Sequence, residues 1–345
     1  MEGLVLGLGG LLGDWHGFEC NQGMHAHWMP DDRHRWEALT DQGLAGLQQS
    51  WTYASAMQSL GVPCLRVALT QDASIKSPWL ATAQFIVQRL PWFVRLTFCQ
   101  GGPIWAHGVS PAQQREAVNM VIRSLPLGRP RLALFSPAQD LQAGLPPERS
   151  PGQPLEHALS HRMRLATGRS TVLLNLMRPE DERRAALEQR WRNRLNAAER
   201  SPLKVRVCGS KVSDYEWLVQ AEAAQRKVRG YLSLPAGFIQ AFQQAHQKPS
   251  LALLTLAAEL QNHRCAGMLF MVHGSSATYH LGWADDVGRE HSAHNLLLWQ
   301  ACRLLAQRGV RQLDLGGVNT ERNPGLARFK LGSGGRVVTW VGTYG

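Results

Sequence analysis

Apolar residues recur at helical spacing through Leu39, Leu44 and Leu47 and on through Trp51, Ala54, Met57 and Leu60, which predicts one or two helices over 36–60. Gly61-Val62-Pro63 ends that run, since glycine loosens the backbone and proline removes a donor. Alternation then takes over. Strands are expected over Cys64–Leu69, Leu80–Arg89 and Val94–Phe98, stopped by Gly101-Gly102-Pro103, followed by a helix over Pro111–Leu125. Residues 126–170 are rich in Pro, Gly and Ser and read as a short strand, Arg131–Phe135, then a mobile loop crossing into a second half. There the pattern predicts a strand Ser170–Leu176, a basic helix Glu180–Arg200, a strand Lys204–Val207, and helices over Ser213–Gln225 and Ala236–His246. A hairpin, Leu251–Leu260 with Gly267–His273, and a strand Thr278–Gly282 come next. Helix His294–Arg308 carries Leu297, Ala301, Leu304 and Leu305 on one face, and strand Val310–Leu315 follows it.

Both halves thus run helix, strand hairpin, strand, helix, strand, so the class is α+β with one unit used twice. A length of 345 residues favours two cores over one. Mean hydropathy is -0.24, and no window approaches eighteen unbroken apolar residues, the length a spanning helix needs. The start, MEGLVLGLGGLLG, has no basic residue ahead of its apolar part and no small-residue cleavage site; residues 1–28 are expected to be a poorly ordered tail, with Met24 or Met29 as alternative starts. Six scattered cysteines without CxxC spacing read as small buried residues of a reducing, cytoplasmic compartment. A formal charge of +11 favours polyanionic partners: RNA, a nucleotide-linked substrate or an anionic membrane surface, with a merely solubilising surface as the plain alternative.

The segment Asp314–Lys330, DLGGVNTERNPGLARFK, holds the most chemistry. It leaves a strand, turns on Gly316-Gly317, crosses a polar loop and presents Phe329-Lys330 before the glycines of 332–335. Paired glycines let a backbone approach a ligand closely, and a lysine just beyond them awaits negative charge. This segment resembles the C-terminal motif of the Fem family, non-ribosomal peptidyl transferases with a doubled acetyltransferase-like (GNAT-like) fold. Gly267-Met268-Leu269-Phe270, Tyr279-His280-Leu281-Gly282, Asn295–Trp299 and Gly309 precede it in the order of that family's second domain. WRNRLNAAER, residues 191–200, resembles the family's arginine-bearing helix, with Arg192 where the family has a substrate-phosphate contact. Leu187, Trp191, Leu195 and Ala198 form its apolar face; Arg192 lies about 100° from Trp191, at the edge of that face. Leu47–Trp51, Ala83-Gln84-Phe85 and Gly101–Trp105 resemble, in order, the first domain's glutamine-serine helix, strand pair and glycine-proline turn.

The resemblance implies two tandem GNAT-like domains, 29–165 and 166–345, with a cleft between them. It implies amide formation between an activated acyl donor, aminoacyl-tRNA being favoured, and an amine of a cell-wall or metabolite precursor, without a cofactor. Lys330 is the implied catalytic group, stabilising the oxyanion; Arg192, Trp51, Tyr279, Asp314, Gly316, Gly317 and Phe329 are the implied substrate contacts. DNA is not an expected partner.

Two positions depart from the family pattern. Met57 stands where peptidoglycan-directed members have a lysine, and Gly101 where many have an arginine. Each change removes a charge-assisted contact worth about 1.5–3 kcal/mol, which argues against the usual phosphorylated acceptor. The glycine-rich turn that binds CoA pyrophosphate at a helix N-terminus is not visible, so CoA is disfavoured. Cys20, His25 and His27 match no structural zinc spacing. Asp285-Asp286 reads as a turn cap, or as a carboxylate receiving a proton; His291 and His294 read as helix-end packing, or as a cleft base. Two other classes stay open: an acyl-CoA-dependent N-acetyltransferase acting on a sugar or lipid head group, and a non-catalytic RNA- or anion-binding module.

Overall fold

The computed structural model describes residues 24–141, 158–229, 234–235 and 237–345. The first half contains β1 (His25–Trp28), α1 (Arg33–Gln42), α2 (Trp51–Ser59), β2 (Cys64–Thr70), β3 (Trp79–Arg89), β4 (Arg95–Gln100), β5 (Ile104–Trp105), α3 (Pro111–Ser124), β6 (Arg131–Ser136) and β7 (Arg164–Ala166). Its helices start where the residues allow. Asp32 accepts from Arg35 N at 2.9 Å, Ser50 accepts from Tyr53 N at 3.2 Å, and Ser110 and Gln113 form a capping box in front of Pro111. The second half contains β8 (Ser170–Asn175), α4 (Glu180–Ala185), α5 (Gln189–Arg200), β9 (Lys204–Val207), α6 (Val212–Arg229), α7 (Phe238–Ala245), β10 (Leu253–Leu260), β11 (His263–His273), β12 (Ser276–Ala284), α8 (Asp286–Glu290), α9 (Ala293–Gln307), β13 (Gln312–Gly317), α10 (Pro324–Leu331), β14 (Arg336–Thr339) and β15 (Thr343–Tyr344).

Two sheets result. The first runs β1-β2-β3-β4-β6-β15-β7, with β5 on β3, and the second runs β14-β8-β13-β12-β11-β10-β9. In β10 and β11 nearly every residue is buried, because helices cover both faces. Leu254, Leu256, Ala258, Met268 and Phe270 point to a core with Trp191 and Leu195 of α5 and Leu297 and Ala301 of α9. The opposite face places Leu253, Leu269 and Met271 against Leu218 of α6 and Phe238 and Phe242 of α7. That core also takes Tyr53, Ala54 and Met57 from α2, and the Tyr53 and Phe238 rings meet edge-on at 5.4 Å. The two halves are therefore welded by a shared core.

Several elements depart from expectation. His25–Trp28, assigned to the tail, is a strand antiparallel to β2, with His27 Nε2 2.8 Å from Thr70 Oγ1; residues 1–23 lie outside the described residues. Four residues are too few for alternation to register. The limits 29–165 and 166–345 do not follow the sheets either. β15 pairs with β6 and β7 in the first sheet, and Val341 and Tyr344 complete the first core. The basic helix over 180–200 is broken in two. Glu188 is extended (φ −57, ψ 143) and its N–H donates to Gly332 O at 3.0 Å, a tertiary bond without proline or glycine to announce it. The expected polar loop ends in α10, which begins with Pro324 in the first turn and carries Phe329 and Lys330.

Candidate active site

β12 and β13 run parallel, pairing only Ser276–Thr278 with Gln312–Asp314, and then part. Tyr279 follows the last pair on one strand, and Asp314 ends the pairing on the other. Gly316 turns β13 away in the left-handed region (φ +73), a conformation glycine adopts without cost. Asp314 holds that turn: Oδ1 accepts from Gly316 N at 2.8 Å and from the Thr171 hydroxyl. On β12, a Cβ at Gly282 would lie 2.2 Å from the Tyr279 hydroxyl, so only glycine lets the phenol lie flat along its own strand.

α10 returns its last turn over the notch between these strands. Lys330 Nζ donates to Gly317 O at 2.8 Å and lies 5.8 Å from the centroid of the Tyr279 ring. Its residue is 5% exposed. Burial pushes its pKa down to about 8, while the Asp314 charge acts in the opposite direction. Phe329 stacks obliquely on Trp191 at 5.9 Å, and Trp191 Nε1 donates to Phe329 O at 3.0 Å, so α5 braces the helix that bears the lysine.

Five of the eight expected residues therefore meet, Lys330, Tyr279, Asp314, Gly316 and Gly317, while Phe329 packs behind the notch on Trp191 and His294. Two lie elsewhere. The Arg192 guanidinium donates from Nη2 to Ala185 O at 3.1 Å and Leu187 O at 2.9 Å, which satisfies carbonyls left open where α4 ends. Helical angle alone places Arg192 at an edge but cannot reveal that break. Trp51 lies in the first half, under Arg66 at 3.9 Å and edge-on to Trp36 at 5.9 Å. Arg66 also donates to Trp51 O at 3.0 Å, so the indole belongs to a local knot of α2 and β2.

Sequence reading missed Arg169. It precedes β8, its guanidinium feels the Asp314 carboxylate, and burial lowers its pKa against that attraction. With the Gln100 carbonyl turned toward it, Gln100 accepts from both Nη1 and Nη2 at 2.7 Å. Arg169 thus ties the end of β4 in one half to the notch in the other. No periodic signal marks a lone arginine before a strand.

His294 and the carboxylates before it have structural partners. His294 Nε2 lies 3.0 Å from Trp283 O; a carbonyl only accepts, so Nε2 carries a proton, and burial holds the ring below its ordinary pKa. Asp285 caps α8 by accepting from Gly288 N at 2.8 Å. The fold type raises the question of CoA at the start of α9. The turn leading there carries Asp285, Asp286 and Glu290 against one arginine, Arg289, which is paired with Asp286 at 2.6 Å. Gly288 serves packing, since a Cβ there would lie 2.3 Å from Cys265 O. Asn295 Nδ2, in a residue 5% exposed, lacks a partner among the described residues. One neutral amide among three carboxylates does not make a pyrophosphate cradle.

A sequence model of the acetyltransferase (GNAT) domain matches residues 183–331. Among solved structures, the crystal structure of FemX superposes with a TM-score of 0.72 at 13% identity, covering 92% of this chain and 96% of that one. The C-terminal domain of a protein assigned as a lysylphosphatidylglycerol synthetase, from Agrobacterium fabrum, gives 0.51 at 14% identity over 90% and 91% of the two chains. A conserved protein of unknown function from Bacteroides thetaiotaomicron gives 0.54 at 10% identity over 92% and 97%. No curated protein matches the chain in sequence. Two sheets joined by a shared core, a splayed parallel strand pair and these superpositions give one result: the chain has the FemAB-like fold of two tandem GNAT-type domains.

Proposed function

We propose that the protein is an acyltransferase that forms an amide bond between an activated acyl ester and an amine, with aminoacyl-tRNA as donor. The observation that carries this reading is the buried Lys330 ammonium, seated in the notch between β12 and β13 with Tyr279 beneath it. A cation fixed in a water-poor site opposes the charge that develops on an attacked carbonyl oxygen, and such stabilisation contributes several kcal/mol. The amine nitrogen attacks the ester carbonyl, and the oxyanion is held by Lys330. Collapse forms the amide and expels the ribose oxygen, which takes the proton lost by the amine. No protein base is required, and His294 keeps its helix-end role.

The donor preference rests on two observations. The carboxylates before α9 oppose a CoA pyrophosphate, and the formal charge of +11 suits a phosphate-rich partner bound without sequence preference. This donor sets the reaction in the cytoplasm, consistent with five free cysteines among the described residues. The acceptor is an amine-bearing cell-wall or metabolite precursor. Met57 is buried in the shared core and supplies no cation to it, which disfavours a nucleotide-linked acceptor held by that position. The match of residues 183–331 to the GNAT domain favours a second reading, N-acyl transfer from acyl-CoA. Incubating the purified protein with a pool of charged tRNAs, and separately with acyl-CoAs, decides between them. Loss of the aminoacyl ester, dependent on an added amine, is the expected outcome; turnover of CoA thioesters alone would overturn it.

A further inference from the structure

The far end of the first sheet is built for a surface. Between β3 and β4 the chain reverses over 90–94, closed by Leu90 N donating to Val94 O at 2.9 Å. At the tip, Trp92 is 89% exposed and Leu90 41% exposed. Trp92 holds φ 64 and ψ 26, the left-handed region that a bulky side chain rarely enters. An indole displayed to water from an unfavourable backbone conformation needs a reason outside the fold.

The surroundings supply one. Arg89 pairs with Arg95, and Arg95 pairs with Arg131, so three neighbouring strands carry an arginine at one level just behind the tip. Beside them lies a groove of about 700 Å³, with Ile122, Leu125 and Pro130 lining it and Arg123, Arg129 and Arg131 bordering it. Arg95 Nη1 reaches the groove's edge, 2.7 Å from where a Cβ of Gly128 would stand. Arg131 is spent internally on carbonyls of Leu125 and Leu127, whereas Arg89, Arg95, Arg123 and Arg129 have no ion pair with a carboxylate among the described residues. Between Asp72 and Asp140 the only acidic residue is Glu116, on α3.

We propose that this hairpin tip and its arginine-bordered groove dock the protein on an anionic phospholipid bilayer. Trp92 and Leu90 enter the interface, where an amphipathic indole is at home, and the arginines meet lipid phosphates. Aliphatic Leu90, exposed at the tip, and the half-buried Ile122 gain from acyl chains and gain nothing from stacked bases, which selects a bilayer over RNA. The inference stands apart from the catalytic reading, because neither Trp92 nor these arginines touch the notch.

Co-sedimentation of the full chain with phosphatidylglycerol–phosphatidylcholine vesicles tests it, with pure phosphatidylcholine as comparison. The protein is expected to sediment with the anionic vesicles and to release at high salt. Arg89→Glu and Arg129→Glu are each expected to weaken partitioning roughly five-fold or more. Trp92→Ala, at an exposed tip, leaves the circular dichroism unchanged and lowers binding, while brominated lipid quenches tryptophan fluorescence in the parent but not in Trp92→Phe. Equal binding to neutral vesicles, no change with any of these substitutions, or nucleic acid that displaces the vesicles through Trp92 would overturn the proposal.

Discussion

Burying an ammonium works against the fold while preparing the site, and Lys330 shows both effects. Its folded pKa of about 8 lies below the ordinary 10.5. Below pH 8 both states are protonated and burial disfavours the fold. Between 8 and 10.5 the unfolded chain binds more protons, so stability rises with pH, by about 3 kcal/mol in all. Urea titrations across that window are expected to show this rise in the parent protein and to lose it in Lys330→Met. Asp314 acts the other way, since its charge favours the ammonium. Asp314→Asn is therefore expected to move the alkaline limb of the rate profile to lower pH, as stopped-time assays from pH 6.5 to 9 would reveal. Most of this cluster is readable from residues, because a glycine pair, an acid and a terminal lysine sit within one short segment. Arg169 and Arg192 are not. Arg169 depends on Gln100 and Asp314, brought close by tertiary structure, and Arg192 depends on a local break at the end of α4 that a bond from Glu188 to Gly332 holds open.

At the scale of elements, the notch exists because two parallel strands part, and Gly316 makes one of them turn. Gly316→Ala places a Cβ in ordinary contact with Lys330 Nζ at 3.7 Å, so space is not the obstacle; the backbone angle is. The substitution is expected to cost about 1–2 kcal/mol in urea unfolding and to lower the transfer rate by re-aiming Gly317 O, the partner of Lys330. Periodicity finds the strands and long helices here, since each is long enough for its faces to alternate. It fails at α10, where a proline opens a helix of eight residues amid polar neighbours, and at 186–188, where a hydrogen bond to Gly332 interrupts a sequence with helical spacing throughout.

At the scale of the whole molecule, the shared core predicts unfolding as one cooperative unit. α2 inserts into the core of the other half, and β15 returns to the first sheet. Phe238→Ala removes a fully buried ring from that shared core and is expected to cost about 3–5 kcal/mol. Tryptophan fluorescence and far-ultraviolet circular dichroism should lose signal together; separate transitions for the two halves would contradict a welded core. The doubling of the fold is legible as a repeated order of helices and strands. The exchange of β15 is not, because a two-residue strand has no period and its partners lie more than 170 residues away in sequence.

On the proposed reading, the Lys330 charge drives acyl transfer in the notch. Single-turnover transfer from charged tRNA to an amine, compared between the parent protein and Lys330→Met, measures it directly. The expected result is a rate lower by about 10²–10³ in the variant with donor binding retained, and a parent rate that falls as pH rises through about 8. An unchanged rate in Lys330→Met, on a protein that still folds, would contradict it.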